Sequence, residues 1–254
     1  MNNDLLVKLS NERLIPTGEF EVSGFHEVDE AVATYFSRIF DNARVNKPNN
    51  ERMVFNRFTE RPPAQRVVLG KFDSLVMFLQ QLRKARPRIK SPDLSKSELP
   101  VINVSRGLDV VYSTNDFKND TASVLELDKC VDKDGNTFAV LDCTHADLTY
   151  TVSVLAFEKE TLALIVNAVS THLRFAIKKT FTATTQVAMS AIPLQCAFTD
   201  SRELIWSDMS ASISEDRLFA ASVTLTVSTD VVRALAVTRA TENYEVVSKL
   251  GGAS

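Results

Sequence analysis

Leu148-Thr-Tyr-Thr-Val-Ser-Val-Leu-Ala-Phe157 is the stretch on which the fold turns. Leu148, Tyr150, Val152 and Val154 alternate with Thr149, Thr151 and Ser153, and a period of two predicts a strand with one buried face. The period then changes. From Glu158 onward the apolar residues fall at Leu162, Ile165, Val166, Val169 and Leu173, a stripe on one side of a helix. Glu158 and Glu160 stand in its first turn and Arg174 in its last, the signs that a helix dipole favours. Strand character returns at Ile192 to Phe198 and at Ala221 to Thr229, where Ala221, Val223, Leu225 and Val227 alternate with Ser222, Thr224, Thr226 and Ser228. A strand, an amphipathic helix and further strands make an α-on-β layer around one core. Val152, Val154, Ile165, Val169, Val223 and Leu225 are its expected centre. The fold class expected is α+β: a mixed or antiparallel β-sheet packed against amphipathic helices, with extended terminal arms.

Upstream, residues 1–24 have scattered apolar positions and the turn formers Pro16, Gly18 and Gly24, which suggest an N-terminal arm. From Glu27 the residues Val28, Ala31, Val32, Tyr35, Phe36, Ile39, Phe40 and Ala43 predict a helix with a wide apolar face. Met53 to Phe58 and Arg66 to Leu69 are expected as short strands on either side of Pro62-Pro63, and Lys71 to Arg86 as a second helix. The prolines at 87 and 92 end it, because a residue before proline is pushed out of the helical region. Leu99 to Ser105 is a strand that continues extended from Gly107 to Ser113, and Asn115 to Thr121 is polar connection. Leu125 to Asp142 reads as a hairpin around a two-residue Asp134-Gly135 turn, feeding the strand at Leu148. Beyond Val232 the alternation fades, and residues 240–254 look like a C-terminal tail. One α+β domain is therefore expected over residues 25–239.

The totals narrow the function classes. The chain of 254 residues is 44% hydrophobic and 24% charged, which is ordinary for a folded protein. A formal charge of −3 exerts no global pull on nucleic acid or membrane. Seven glycines is few for phosphate cradles and strained catalytic turns. No run of about 18 apolar residues is present to span a membrane, and Met1 to Lys8 does not read as a signal peptide. The expected hairpin sets Cys130 opposite Ala139 and Cys143 opposite Glu126, so those two cysteines are not partners. A reducing compartment is the simpler reading.

Asp132-Lys-Asp-Gly135 invites comparison with a calcium loop and fails it. With Gly135 at the invariant sixth position, Cys130 takes the first position and Leu141 the twelfth, where a carboxylate is needed. His26, His145 and His172 stand in no metal-ligand spacing, and no nucleophile-elbow motif occurs. No catalytic, metal or cofactor residue is assigned. The prominent charge feature is Arg83, Lys84, Arg86, Arg88 and Lys90, five cations in eight residues. It suits a docking patch for an acidic protein surface, a nucleic-acid contact or a solvated helix end. Few aromatics interleave with it, which argues against single-strand binding.

The order of elements resembles the tail terminator (neck) proteins of contractile-tailed bacteriophages. The likeness rests on the early helix Ala33-Thr-Tyr-Phe-Ser-Arg-Ile-Phe-Asp-Asn42, followed by a strand and by Lys71-Phe72 opening a second helix, and on Leu99-Pro-Val-Ile-Asn-Val104. Tyr150 to Phe157 running into Leu162 to Val169, and Ile205-Trp206 before the last apolar alternation, complete it. Here His172-Leu-Arg-Phe175 lacks the family's proline, and the tryptophan stands upstream of the last strand. The resemblance implies a non-enzymatic virion protein that forms a homohexameric ring. That ring would cap the tail tube and sheath and join them to the head-side connector. Its partners would be further copies, sheath, tube and neck proteins, with incidental contact to packaged DNA and none to membrane. Another tail component, such as a baseplate or sheath-initiating protein, or an enzyme with remote catalytic residues, are the competing readings.

Overall fold

Two long strands carry the architecture. The computed structural model describes residues 5–41, 43–45, 50–71, 77–78, 99–112, 129–176, 179–199, 204–213 and 216–248. Strand β5 (Thr137–Ala156) and strand β10 (Asp216–Ser248) run antiparallel, from Phe219 opposite Ala156 to Ala236 opposite Ala139. Around them lie β2 (Val67–Leu69), β3 (Val101–Tyr112), β7 (Ser190–Phe198) and β6 (Thr180–Val187), in the order β2-β3-β5-β10-β7-β6. The β2–β3 pair is parallel and the other pairs are antiparallel, so the sheet is mixed. The other edge of β10 is shared in turn by β9 (Ala211–Ile213) with β8 (Ser207–Asp208), then β7, then β1 (Leu5–Val22).

One face of this sheet carries three helices. Helix α1 (His26–Arg38) buries Val28, Val32 and Phe36; α2 (Asn50–Glu60) buries Phe55 and Phe58; α4 (Lys159–Phe175) buries Ile165, Val169 and Leu173. The six residues expected at the centre of the core are all buried, none more than 3% exposed. On the opposite face Phe78, Leu99, Val101, Leu155, Leu218 and Ala220 form a second cluster, so this end of the sheet is covered on both sides. The short helix α3 (Pro63–Arg66) delivers Arg66 into the joint between helices. Its guanidinium, 5% exposed, donates to Ser37 O at 2.8 Å, Asp41 Oδ1 at 2.6 Å and Thr59 O at 2.7 Å. It therefore binds carbonyls at the C-terminal ends of α1 and α2, where intrahelical donors run out; Ser37 O also accepts the Phe40 N–H at 3.4 Å.

Several expectations are corrected. Met53 to Phe58 is helix, because Phe55, Phe58 and Thr59 are buried at helical spacing while Arg52 reaches Glu160 of α4 at 2.6 Å. The turn at Asp134-Gly135 is longer than two residues. Asp132 N–H donates to Asn136 O, Asp132 Oδ1 accepts from the N–H groups of Asp134 and Asn136, and Gly135 takes φ +80°. A bulge beside it then restores the expected pairing of Cys130 (in β4, Lys129–Val131) with Ala139. Glu126, the expected partner of Cys143, and Asn115 to Thr121 lie outside the described residues; of the expected Lys71–Arg86 helix only Lys71, which is not helical, and Met77 and Phe78, which are, are described.

The terminal segments differ most from expectation. Residues 5–22 are an 18-residue strand, and β10 continues 16 residues past Val232 to Ser248. The two pair with each other from Leu5 opposite Ser248 to Val22 opposite Arg233. From Val237 onward β1 is the sole strand partner of β10 among the described residues. The expected arm and tail thus zip into a two-stranded ribbon, roughly 40 Å long at about 3.4 Å per residue.

Candidate functional site

Arg83, Lys84, Arg86, Arg88 and Lys90 lie outside the described residues, so the site begins with what the fold assembles elsewhere. The histidines are dispersed. His26 faces Glu30 along α1 at 3.2 Å, His145 meets Asp230 across the β5–β10 ladder at 2.9 Å, and His172 sits in the last turn of α4. Among the described residues no three His, Cys, Asp or Glu side chains gather as a metal site. Nor does any described helix have the length and apolarity to cross a membrane.

A half-buried polar cluster ties α1 to the sheet. Tyr150, on the core face of β5, donates its hydroxyl to Asp29 Oδ1 at 2.6 Å, and Arg106 Nε donates to the same oxygen at 2.9 Å. Arg106 also lies over the Phe25 ring at 5.2 Å. Burial, with the Asp29 carboxylate beside it, raises the Tyr150 phenol far above its usual range and keeps it a neutral donor. All three groups are used in holding α1 to the sheet, so the arrangement is a clamp.

A more open feature lies on the other flank of α1. A cleft of about 750 Å³ runs between that helix and β6. Its helical wall includes Glu27, Glu30 and Tyr35; its sheet wall is five consecutive residues, Thr180 to Thr184. Consecutive residues line a cavity together only where it follows the edge of a strand, since successive side chains point to opposite faces. Tyr35 packs against Phe36, Phe181 and Phe198, and burial raises its phenol above the usual range. Two buried polar atoms in this wall, Glu27 Oε2 and Tyr35 Oη, have no hydrogen-bond partner among the described residues.

The edge itself is bare. β6 and β7 meet in a two-residue turn at Ala188-Met189, with φ +48° and +59°, and the closing pair is Val187 with Ser190. Counting back in an antiparallel hairpin, Val187, Thr185, Ala183 and Phe181 bond to β7, and Gln186, Thr184, Thr182 and Thr180 turn their peptide groups outward. Pro193, which has no N–H, stands opposite Thr184, as that alternation requires. The outward groups have no strand partner among the described residues. The sequence Thr-Phe-Thr-Ala-Thr-Thr-Gln-Val contains no charge, proline or glycine, the usual devices that stop an edge from pairing.

This strand did not stand out in the sequence. Its signal is weak: Phe181, Ala183, Thr185 and Val187 alternate inward, but two of the four are small or polar. The cleft offers peptide groups along an edge, a neutral phenol and a carboxylate, the equipment to hold an extended polypeptide. Comparison with protein-family models and with curated proteins finds no match to this chain.

Proposed function

We propose that the chain is a non-enzymatic structural subunit of a virus particle, of the tail terminator (neck) kind. In this reading copies form a ring that caps the tail tube and sheath and meets the head-side connector. The observation that carries it is the β1–β10 ribbon. From Val237 onward its two strands pair only with each other among the described residues, and an isolated two-stranded ribbon is marginally stable in water. Ile15 on that part is 45% exposed, and Phe20 and Val22 further along β1 are 64% and 52% exposed, which suits a strand meant to be covered by another subunit. The element order in Ala33 to Asn42, Leu99 to Val104 and Tyr150 to Val169 supports the same class.

Purified contractile-tailed particles supply the test. The chain is expected in stoichiometric amount, with its density in a particle reconstruction at the neck. Density at the baseplate, or a chain missing from the particles, overturns the proposal. The basic segment is the docking patch in this reading, so Arg86→Glu with Arg88→Glu should leave the subunit folded and reduce its incorporation. Incorporation at the parent level removes the patch from the interface.

A further inference from the structure

We infer that the cleft between α1 and the free edge of β6 receives strand β1 of a second copy, by edge-to-edge strand addition. The inference rests on the ring reading and names its junction. Each half of the contact has a need that the other meets. The β6 edge offers peptide groups with no strand partner among the described residues, and its own sequence carries no charge, proline or glycine. The ribbon lacks a third strand, and the outer edge of β1 is unpartnered among the described residues. Residues 5–15 keep one register before the irregularity between Pro16 and Phe20, long enough to cover the eight residues of β6.

Direction and charge agree with this pairing. β10 is antiparallel to β7, and β7 to β6, so β6 runs in the sense of β10. β1 runs opposite to β10. A neighbour's β1 that arrives without the subunit being turned over is therefore antiparallel to β6, the stronger of the two ladder types. In the cleft wall Glu27 Oε2 is buried without a partner, and an unpaired buried carboxylate oxygen is costly unless a donor reaches it. Arg13, exposed on the incoming segment, is such a donor. The Tyr35 hydroxyl can bond to a peptide carbonyl. Because the two surfaces are different parts of the chain, the contact is head-to-tail and closes on itself as a ring when the rotation allows.

The test uses the full chain in sedimentation velocity and native mass spectrometry. Thr184→Pro removes an outward N–H that β7 does not use, and Thr182→Lys places a charge on the edge without touching the backbone. The parent should form oligomers larger than a dimer. Both variants should melt within a few degrees of it and self-associate at least tenfold more weakly. A synthetic peptide of residues 5–15 should bind the folded Thr184→Pro chain at least tenfold more weakly than the parent, and in excess it should break the parent oligomer down. Folded variants that assemble as the parent does overturn the junction and leave the ring reading standing. A parent that stops at a two-fold dimer also overturns it, since a head-to-tail junction that closes a ring needs more than two copies. A peptide without effect overturns β1 as the occupant. A parent that stays monomeric and does not enter particles overturns both readings.

Discussion

Strand β10 passes through two environments, and the contrast between them separates what packing does from what pairing does. Between Ala221 and Val231 its odd residues are buried against α1, α4 and neighbouring strands, while it is paired on both edges for much of its length. Between Val237 and Ser248 the same strand keeps an unbroken register with β1, its one strand partner there among the described residues. The backbone conformation is alike in both halves. What differs is the company each half keeps: the first belongs to the core cluster shared with α1 and α4, and the second has β1 as its one strand partner among the described residues.

The largest effect should come from the packed half. Val169→Asp puts a charge with no partner against Val152 and Val223, and a loss of about 4 kcal/mol or more is expected in chemical denaturation. A melt unchanged from the parent would mean that α4 presents another face to the sheet. Arg66→Leu comes next. It strips donors from Ser37 O and Thr59 O and leaves Asp41 without its cation, for a loss of about 3 kcal/mol. Tyr150→Phe keeps the ring and removes one hydrogen bond to a carboxylate, for a loss of about 1.5 kcal/mol; the same stability as the parent would show that Arg106 alone satisfies Asp29.

Met189→Gly should raise stability by about 1 kcal/mol, because Met189 is 89% exposed and sits at positive φ, where a side chain is strained. A drop in stability would show that the Met189 side chain matters more than its backbone. The smallest effect belongs to the ribbon. Ala240→Asp should stay within about 0.5 kcal/mol of the parent. Amide exchange should be slow through 221–231 and fast through 237–248 in the free chain. Equal protection in the two halves would erase the contrast.

Legibility in the sequence follows the same divide. The β5–α4–β10 unit was readable because burial on one side prints a period of 2 or 3.6 directly on the residues. The α2 segment misled because Met53, Val54, Phe55 and Phe58 lie too close together for either period to show in so short a window. The ribbon left no local trace. Leu5 and Ser248 face each other across nearly the whole chain, and pairing at that range depends on what β10 becomes elsewhere. The β6 edge was hidden for another reason: the inward positions Ala183 and Thr185 are too small or polar to print a buried face, and the edge takes its meaning from the cleft beside it. The five cations chosen from the sequence lie outside the described residues, so the site argued from geometry and the one argued from charge are different parts of the chain.

The ribbon also sets a timetable for synthesis. Val22 can find Arg233, and Leu5 can find Ser248, only after more than two hundred further residues have been translated. At about 5–20 residues per second that is on the order of ten to forty seconds. Through that interval Leu5, Leu6, Val7 and Leu9 are carried by the nascent chain without the strand they will pair with. Helix α1 can form and the β5 strand can be made while β1 still waits. A polypeptide that stops short of residue 233 never acquires the ribbon at all, so only a chain translated past that point can present it to a neighbour.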